Sequence, residues 1–177
     1  MSIRRKHIRE LVNQLLAEVG CENAPVDVEK IARLRNALVH RQSVEDTFSG
    51  YLFRNLQQAS AVIGVNSNHH ANRQRFTIGH ELGHFLLHAG DKLHIDRQFV
   101  MMRRDQQSSE GTDPEEMEAN FFAAELLMPE HFLAQDIKQL SSNDLVDEEG
   151  IARLARRYRV SQQAMTIRLT RLGFLSV

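Results

Sequence analysis

The pattern His-Glu-x-x-His, at His80, Glu81 and His84, constrains this chain more than any other feature. It sits in the stretch Arg-Phe-Thr-Ile-Gly-His-Glu-Leu-Gly-His-Phe-Leu-Leu-His over residues 75–88. The apolar spacing predicts a helix there. At about 100° per residue, His80 and His84 stand about 40° apart on one face. Ile78, Leu82, Phe85 and Leu86 fall on the other side, where they anchor the helix in a core. Two imidazoles one turn apart can grip a single Zn2+ ion, and Glu81 beside them is placed to act on water at the metal. A tetrahedral ion takes two ligands from this rigid element and needs a third from elsewhere in the chain. His88 lies on the ligand face, but two turns beyond His80. One ion cannot be gripped by all three without breaking the helix, so the third ligand is sought further on.

The second informative stretch is residues 113–129, Asp-Pro-Glu-Glu-Met-Glu-Ala-Asn-Phe-Phe-Ala-Ala-Glu-Leu-Leu-Met-Pro. Asp113 as N-cap with Pro114 at the first helical position predicts a helix start, and Pro129 its end. On a wheel with Glu116 at 0°, Asn120 falls at about 40°, Ala123 at about 340° and Leu127 at about 20°. Glu118 and Glu125 fall near 180–200°, which predicts a narrow wet stripe opposite. Glu116 and Asn120 are expected at the centre of the buried face. A buried carboxylate is costly unless paired or metal-bound. Glu116 also stands where a capping-box glutamate belongs, a role that satisfies it without metal. As a metal ligand it completes a two-His-one-carboxylate set with an open fourth position. Ala119 and Ala123 are small enough to let this helix approach the metal helix closely.

Together these residues resemble the ImmA/IrrE family of zinc metallopeptidases. The resemblance rests on Arg75-Phe76-Thr77 before the His-Glu-x-x-His motif, and on Glu-x-x-x-Asn with Phe-Ala-Ala-x-Leu-Leu-Met-Pro after it. It implies a minimal gluzincin with Glu116 as third ligand and Asn120 behind a ligand imidazole. The family often has a second Glu where Glu118 stands. The resemblance also implies a protein substrate: a helix-turn-helix repressor of a phage, mobile-element or stress-response circuit.

Net charge is −1, so no global field recruits nucleic acid or anionic membrane. With one cysteine, Cys21, an internal disulfide is excluded and a reducing compartment fits. No apolar run is long enough to span a bilayer, and Arg4-Arg5-Lys6 leads into an amphipathic segment rather than a signal peptide. The expected location is the cytoplasm.

Around the two motifs the chain predicts an α+β domain. Residues 2–19 and 27–35 read as helices, with Gly20 and Asp27 as stop and cap. Residues 37–40, 47–53 and 59–65 read as strands of a small, mostly antiparallel sheet, with a hairpin between the last two. The run 61–66 is considered as an edge for an extended peptide. Tyr51, His69, His70 and Arg75 are the candidates for oxyanion or substrate contact. Residues 95–104 suggest a further strand or lid, and 105–112 a polar loop.

Residues 147–157 and 161–172 predict a helix-turn-helix-like pair with Ser161 as N-cap. The expected division is a zincin-like domain over 1–140 and a helical subdomain over 141–177 docked on it. The local excess of arginine keeps open a contact of this pair with DNA. It also keeps open the rival reading: a non-enzymatic DNA-binding regulator, or toxin-like partner of a helix-turn-helix protein, with a silent or structural zinc site.

Overall fold

Four strands form one sheet in the order β1-β3-β2-β4, in a computed structural model that describes residues 3–89, 93–96, 113–139 and 148–175. The strands are β1 (Ala37–Gln42), β2 (Gly50–Asn55), β3 (Ser60–Asn66) and β4 (Leu93–Asp96). β2 and β3 form the expected hairpin, closed by residues 56–59. β2 also pairs antiparallel with β4. β1 runs parallel to β3, so the sheet is mixed rather than antiparallel throughout. The reason is connectivity: the long excursion over residues 43–49 returns the chain to start β2 beyond β3, leaving the inner place for β3.

That order overturns one expectation. β3 is paired on both sides, with β1 and with β2, so its backbone groups are spent and residues 61–66 offer no free edge. β1 and β4 are the outer strands among the described residues. The extension expected through 97–104 and the loop 105–112 lie outside the described residues.

The sheet has one covered face. Leu52, Ile63, Ala61 and Val65 are buried, while Leu38, Phe53, Leu93 and Ile95 on the other face are substantially exposed. The period-2 alternation of the strands thus turns one set of side chains toward α3 (Ala71–Leu87). Behind α3 lies α4 (Pro114–Leu127), and α4 in turn packs on α1 (Arg5–Glu18). α2 (Val28–Leu34) begins at Asp27, whose side chain accepts from the Lys30 N–H. Ile8, Val12, Leu15 and Leu16 of α1, with Ile78, Leu82, Phe122 and Leu126, fill the core.

α4 has no apolar stripe opposed to a polar one, because it is covered on both sides. Glu118 and Glu125 are therefore not a wet stripe: they are 6% and 3% exposed. Each is compensated by arginine. Glu118 meets Arg4 just before α1, and Glu125 meets Arg168 at 2.6 Å. A helical wheel ranks faces by polarity, and it misread these two because their partners come from distant segments.

α5 (Glu130–Lys138) leads to α6 (Glu148–Tyr158) and α7 (Gln162–Arg171). Ser161 caps α7 by accepting from the Ala164 N–H. The helices share the main core through Leu154, Tyr158, Met165 and Leu169. The Tyr158 hydroxyl donates to Asp136 at 2.8 Å, and Arg168 donates from Nε to the Met128 carbonyl at 3.1 Å. The position 141, where the sequence suggests a division, lies outside the described residues. No described helix is long and apolar enough to cross a membrane.

Candidate metal centre

α3 and α4 approach closely because small residues meet where they cross. A Cβ added at Gly79 would stand 3.3 Å from the Ala123 Cβ, and one at Gly83 would stand 3.1 Å from the Ala119 Cα. This contact brings Glu116 over the imidazole face of α3. Asp113 caps α4 by accepting from the Glu115 N–H. Glu116 itself turns toward the histidines, with Oε1 3.1 Å from His84 Nε2 and Oε2 3.4 Å from His80 Nε2. Its side chain is 29% exposed, so it stands at the mouth of the site and not at the centre of a buried face.

A fourth group joins them. His94 on β4 places Nε2 3.6 Å from Glu116 Oε1, and its ring lies over that of His84 at a centroid distance of 4.2 Å. His80, His84, His94 and Glu116 form one cluster whose ligand atoms all lie within 4.8 Å of one another. His94 carries no signal in the local sequence. Only the register of β4 on β2, with His94 opposite the buried Leu52, turns it inward.

These donors suit a dication. A tetrahedral zinc ion with bonds of about 2.0–2.2 Å separates its donors by about 3.3–3.6 Å. The four separations of 3.0, 3.1, 3.4 and 3.6 Å lie within a few tenths of that, and every pair in the cluster lies within 4.8 Å. Burial disfavours the charged rings and holds His80, His84 and His94 below the ordinary imidazole value. Burial pushes Glu116 the other way, but its hydrogen bonds with His80 and His84 prevail, and its carboxyl titrates well below the usual range. Neutral imidazoles and an ionised carboxylate are the forms that ligate.

Glu81 is fully buried on α3 beneath β2. A Cβ at Gly50 would come 2.5 Å from Thr77 Cγ2, 2.7 Å from the Gly64 carbonyl oxygen and 3.7 Å from Glu81 Oε1. Glycine at that position lets the strand pass directly over the glutamate. Asn120, one turn beyond Glu116, contacts the His80 side chain and favours its protonated form. The C-terminal end of α3 is closed by two arginines: Arg54 donates to the His84 carbonyl at 2.8 Å and Arg4 to the Leu87 carbonyl at 3.1 Å.

The sequence-based oxyanion candidates fall elsewhere. Tyr51 is on the outer face of β2, over Gly64, and lines a shallow hollow with Gln42, Val44, Glu45 and Phe48. His69 holds the 43–49 excursion through Nε2 and the Asp46 carbonyl at 3.0 Å. His70 caps α3 by accepting from the Asn72 N–H, and Arg75 donates to the Val26 carbonyl. None of the four belongs to the cluster. His69, His70 and Arg75 are bonded to backbone groups, two of them distant in sequence, which composition and proximity in sequence could not reveal. His88 is no ligand in this arrangement: it caps α3, with Nδ1 3.1 Å from His84 Nδ1 and Nε2 3.2 Å from Glu118.

Residues 37–170 match the Peptidase_M78 family model, described as the IrrE N-terminal-like domain. The chain belongs to this family. The match to Peptidase_M78 includes β1 to β4, both metal-facing helices and nearly all of α7. The domain is thus of metallopeptidase type, with a histidine-glutamate group able to hold a metal ion. No curated protein sequence matches the chain. Among solved structures it is similar to a Mycobacterium tuberculosis transcriptional regulator, with a TM-score of 0.60 and 19% identity. That likeness covers 93% of this chain and 46% of the other, so the chain spans about half the length of its structural relative and shares its fold.

Proposed function

We propose that this Peptidase_M78 domain is a zinc-dependent endopeptidase. The convergence of His80, His84 and Glu116 carries the reading, because it pairs a hydrolytic ligand set with a buried glutamate one residue from a ligand. A zinc ion held there supplies Lewis acidity toward the scissile carbonyl and lowers the pKa of water. Glu81 takes a proton from the attacking water on its carboxylate and delivers it to the leaving amine. β2 screens Glu81 from bulk solvent, and Asn120 orients His80.

The substrate we propose is a helix-turn-helix repressor. The family resemblance supports it. A direct DNA role for α6 and α7 is less favoured. Arg168, in the helix that would read a groove, is buried and spent on Glu125 and the Met128 carbonyl. Cytoplasmic action fits a repressor substrate and the single cysteine.

The test is Glu81→Gln, which keeps the shape and loses the base. It should retain zinc and bind a helix-turn-helix repressor substrate, while cleavage falls about 10²–10⁴-fold. Mass spectrometry after incubation with zinc reads the cut. Equal cutting by both proteins would point to contamination and sink the assignment.

One observation favours a second reading. His94 offers a fourth protein donor, and four protein ligands close a zinc site and make it structural. In that case the domain is a non-enzymatic regulator that binds its repressor without cutting it. Binding without cleavage by both wild type and Glu81→Gln, under inducing conditions, would decide for it.

A further inference from the structure

Behind His84, hydrogen bonds run from the metal face to the start of the first helix. Glu118 receives Arg4 at both oxygens. The Arg4 main-chain N–H and Nε–H donate to Oε1, each at 2.9 Å, and Nη2 donates to Oε2. Oε2 also lies 3.2 Å from His88 Nε2. His88 Nδ1 lies 3.1 Å from His84 Nδ1. His84 Nε2, on the far side of its ring, is 3.0 Å from His80 Nε2 and 3.1 Å from Glu116 Oε1.

Once a metal sits on His84 Nε2 in place of the proton that Nε2 shares with Glu116 in the metal-free chain, the remaining protons have one consistent placement. A carboxylate only accepts, so His88 donates to Glu118 from Nε2. A neutral imidazole carries a single N–H, which leaves His88 Nδ1 as an acceptor. The bond between the two rings then needs its proton on His84 Nδ1. That leaves His84 Nε2 bare, with its lone pair aimed at the cluster. The opposite tautomer of His84 donates to Glu116 Oε1 and puts a proton where the cation belongs.

We propose that Arg4, Glu118 and His88 form a positioning chain that fixes the tautomer of His84 and so presents its Nε2 lone pair to the metal. In metal sites a ligating histidine commonly donates its other N–H to a carboxylate or carbonyl. Here a second histidine stands between ligand and carboxylate and relays the constraint. The segment before α1 is thereby tied to the metal centre through Arg4, whose guanidinium also closes α3 at the Leu87 carbonyl. Residues far apart in sequence, none of them a ligand, set the affinity of the site. The proposal rests on the reading of His84 as a metal ligand.

The experiment uses the full chain, labelled with 15N and loaded with zinc. A scalar coupling between His84 Nδ1 and His88 Nδ1 across the hydrogen bond is expected, with the proton on His84. Its absence, or a proton on His88 Nδ1, overturns the proposal, and this measurement needs no variant to fold. Two substitutions add a second readout. His88→Asn places a carbonyl oxygen near the position of Nδ1 and keeps the acceptor, whereas His88→Leu removes it. Zinc affinity, measured by competition with a chelating dye, should fall about 10–100-fold in His88→Leu and stay within about threefold in His88→Asn. Equal losses in both folded variants would mean that His88 merely fills space. If the wild type takes up no zinc, the metal-centre reading itself fails. If it takes up zinc and shows no coupling, only the positioning chain fails.

Discussion

Leu52 and His94 face each other across β2 and β4, and this pairing turns His94 inward over the ring of His84. Leu52 is fully buried against the helices, so the residue paired with it must point the same way. His94→Ala separates the two readings of the site. If three protein ligands hold the metal, the variant keeps about one zinc per chain through gel filtration without chelator. Zinc lost on the column, measured by elemental analysis, would show that His94 is needed to close the site.

The crossing of α3 and α4 depends on Gly83. A Cβ there meets the Ala119 Cα and the Phe122 ring, each at 3.1 Å, and neither backbone nor a core ring yields easily. Gly83→Val should destabilise the protein by about 1–3 kcal/mol through overpacking, outweighing any gain in helix propensity. It should also weaken zinc binding, because Glu116 rides on the displaced helix. A melting temperature equal to wild type would show that the contact has slack.

Arg168 and Glu125 form a buried ion pair at 2.6 Å, each 4% exposed at the side chain. Removing Arg168 leaves Glu125 with only the longer contact to Arg9 Nε at 3.5 Å, and removing Glu125 leaves a buried guanidinium without its counter-charge. Glu125→Ala, which strands the buried Arg168, should cost about 3–5 kcal/mol in chemical denaturation, and Arg168→Leu with Glu125→Leu should recover most of it. Unchanged stability in the single variant would mean that α7 is not held by this pair.

Glu118 titrates at about 2, because the hydrogen bonds from Arg4 prevail over burial. The carboxyl of an unfolded chain titrates at about 4.3. A folded value below the unfolded one contributes stability that is present above about 4.3 and lost as pH falls toward about 2. Arg4 is half exposed, so salt should reduce the effect. Urea denaturation of metal-free protein across that window should show wild type losing more stability than Glu118→Gln. Parallel losses would remove Glu118 as a contributor.

What the sequence determined by itself is the local part of this protein. The i,i+4 spacing of His80 and His84, the caps at Asp27, Asp113 and Ser161 and the hairpin over β2 and β3 all follow from neighbours in the chain. So does the choice of α+β fold, since the periods of helix and strand are short-range patterns. Glu116 was singled out by its place one turn before Asn120 in the Glu-x-x-x-Asn pattern that the family resemblance carries, although it stands at the mouth of the site and not on a buried face. Tertiary structure decided the rest. His94 acquired its direction from strand register, and β3 lost its free edge to the parallel pairing of β1. Glu118 and Glu125 became buried residues only because arginines from Arg4 and Arg168 reach them across 114 and 43 positions of sequence. A polarity pattern reports what a residue is and not which distant charge meets it. Whether a charged side chain faces water or core is therefore settled only when the whole chain has folded.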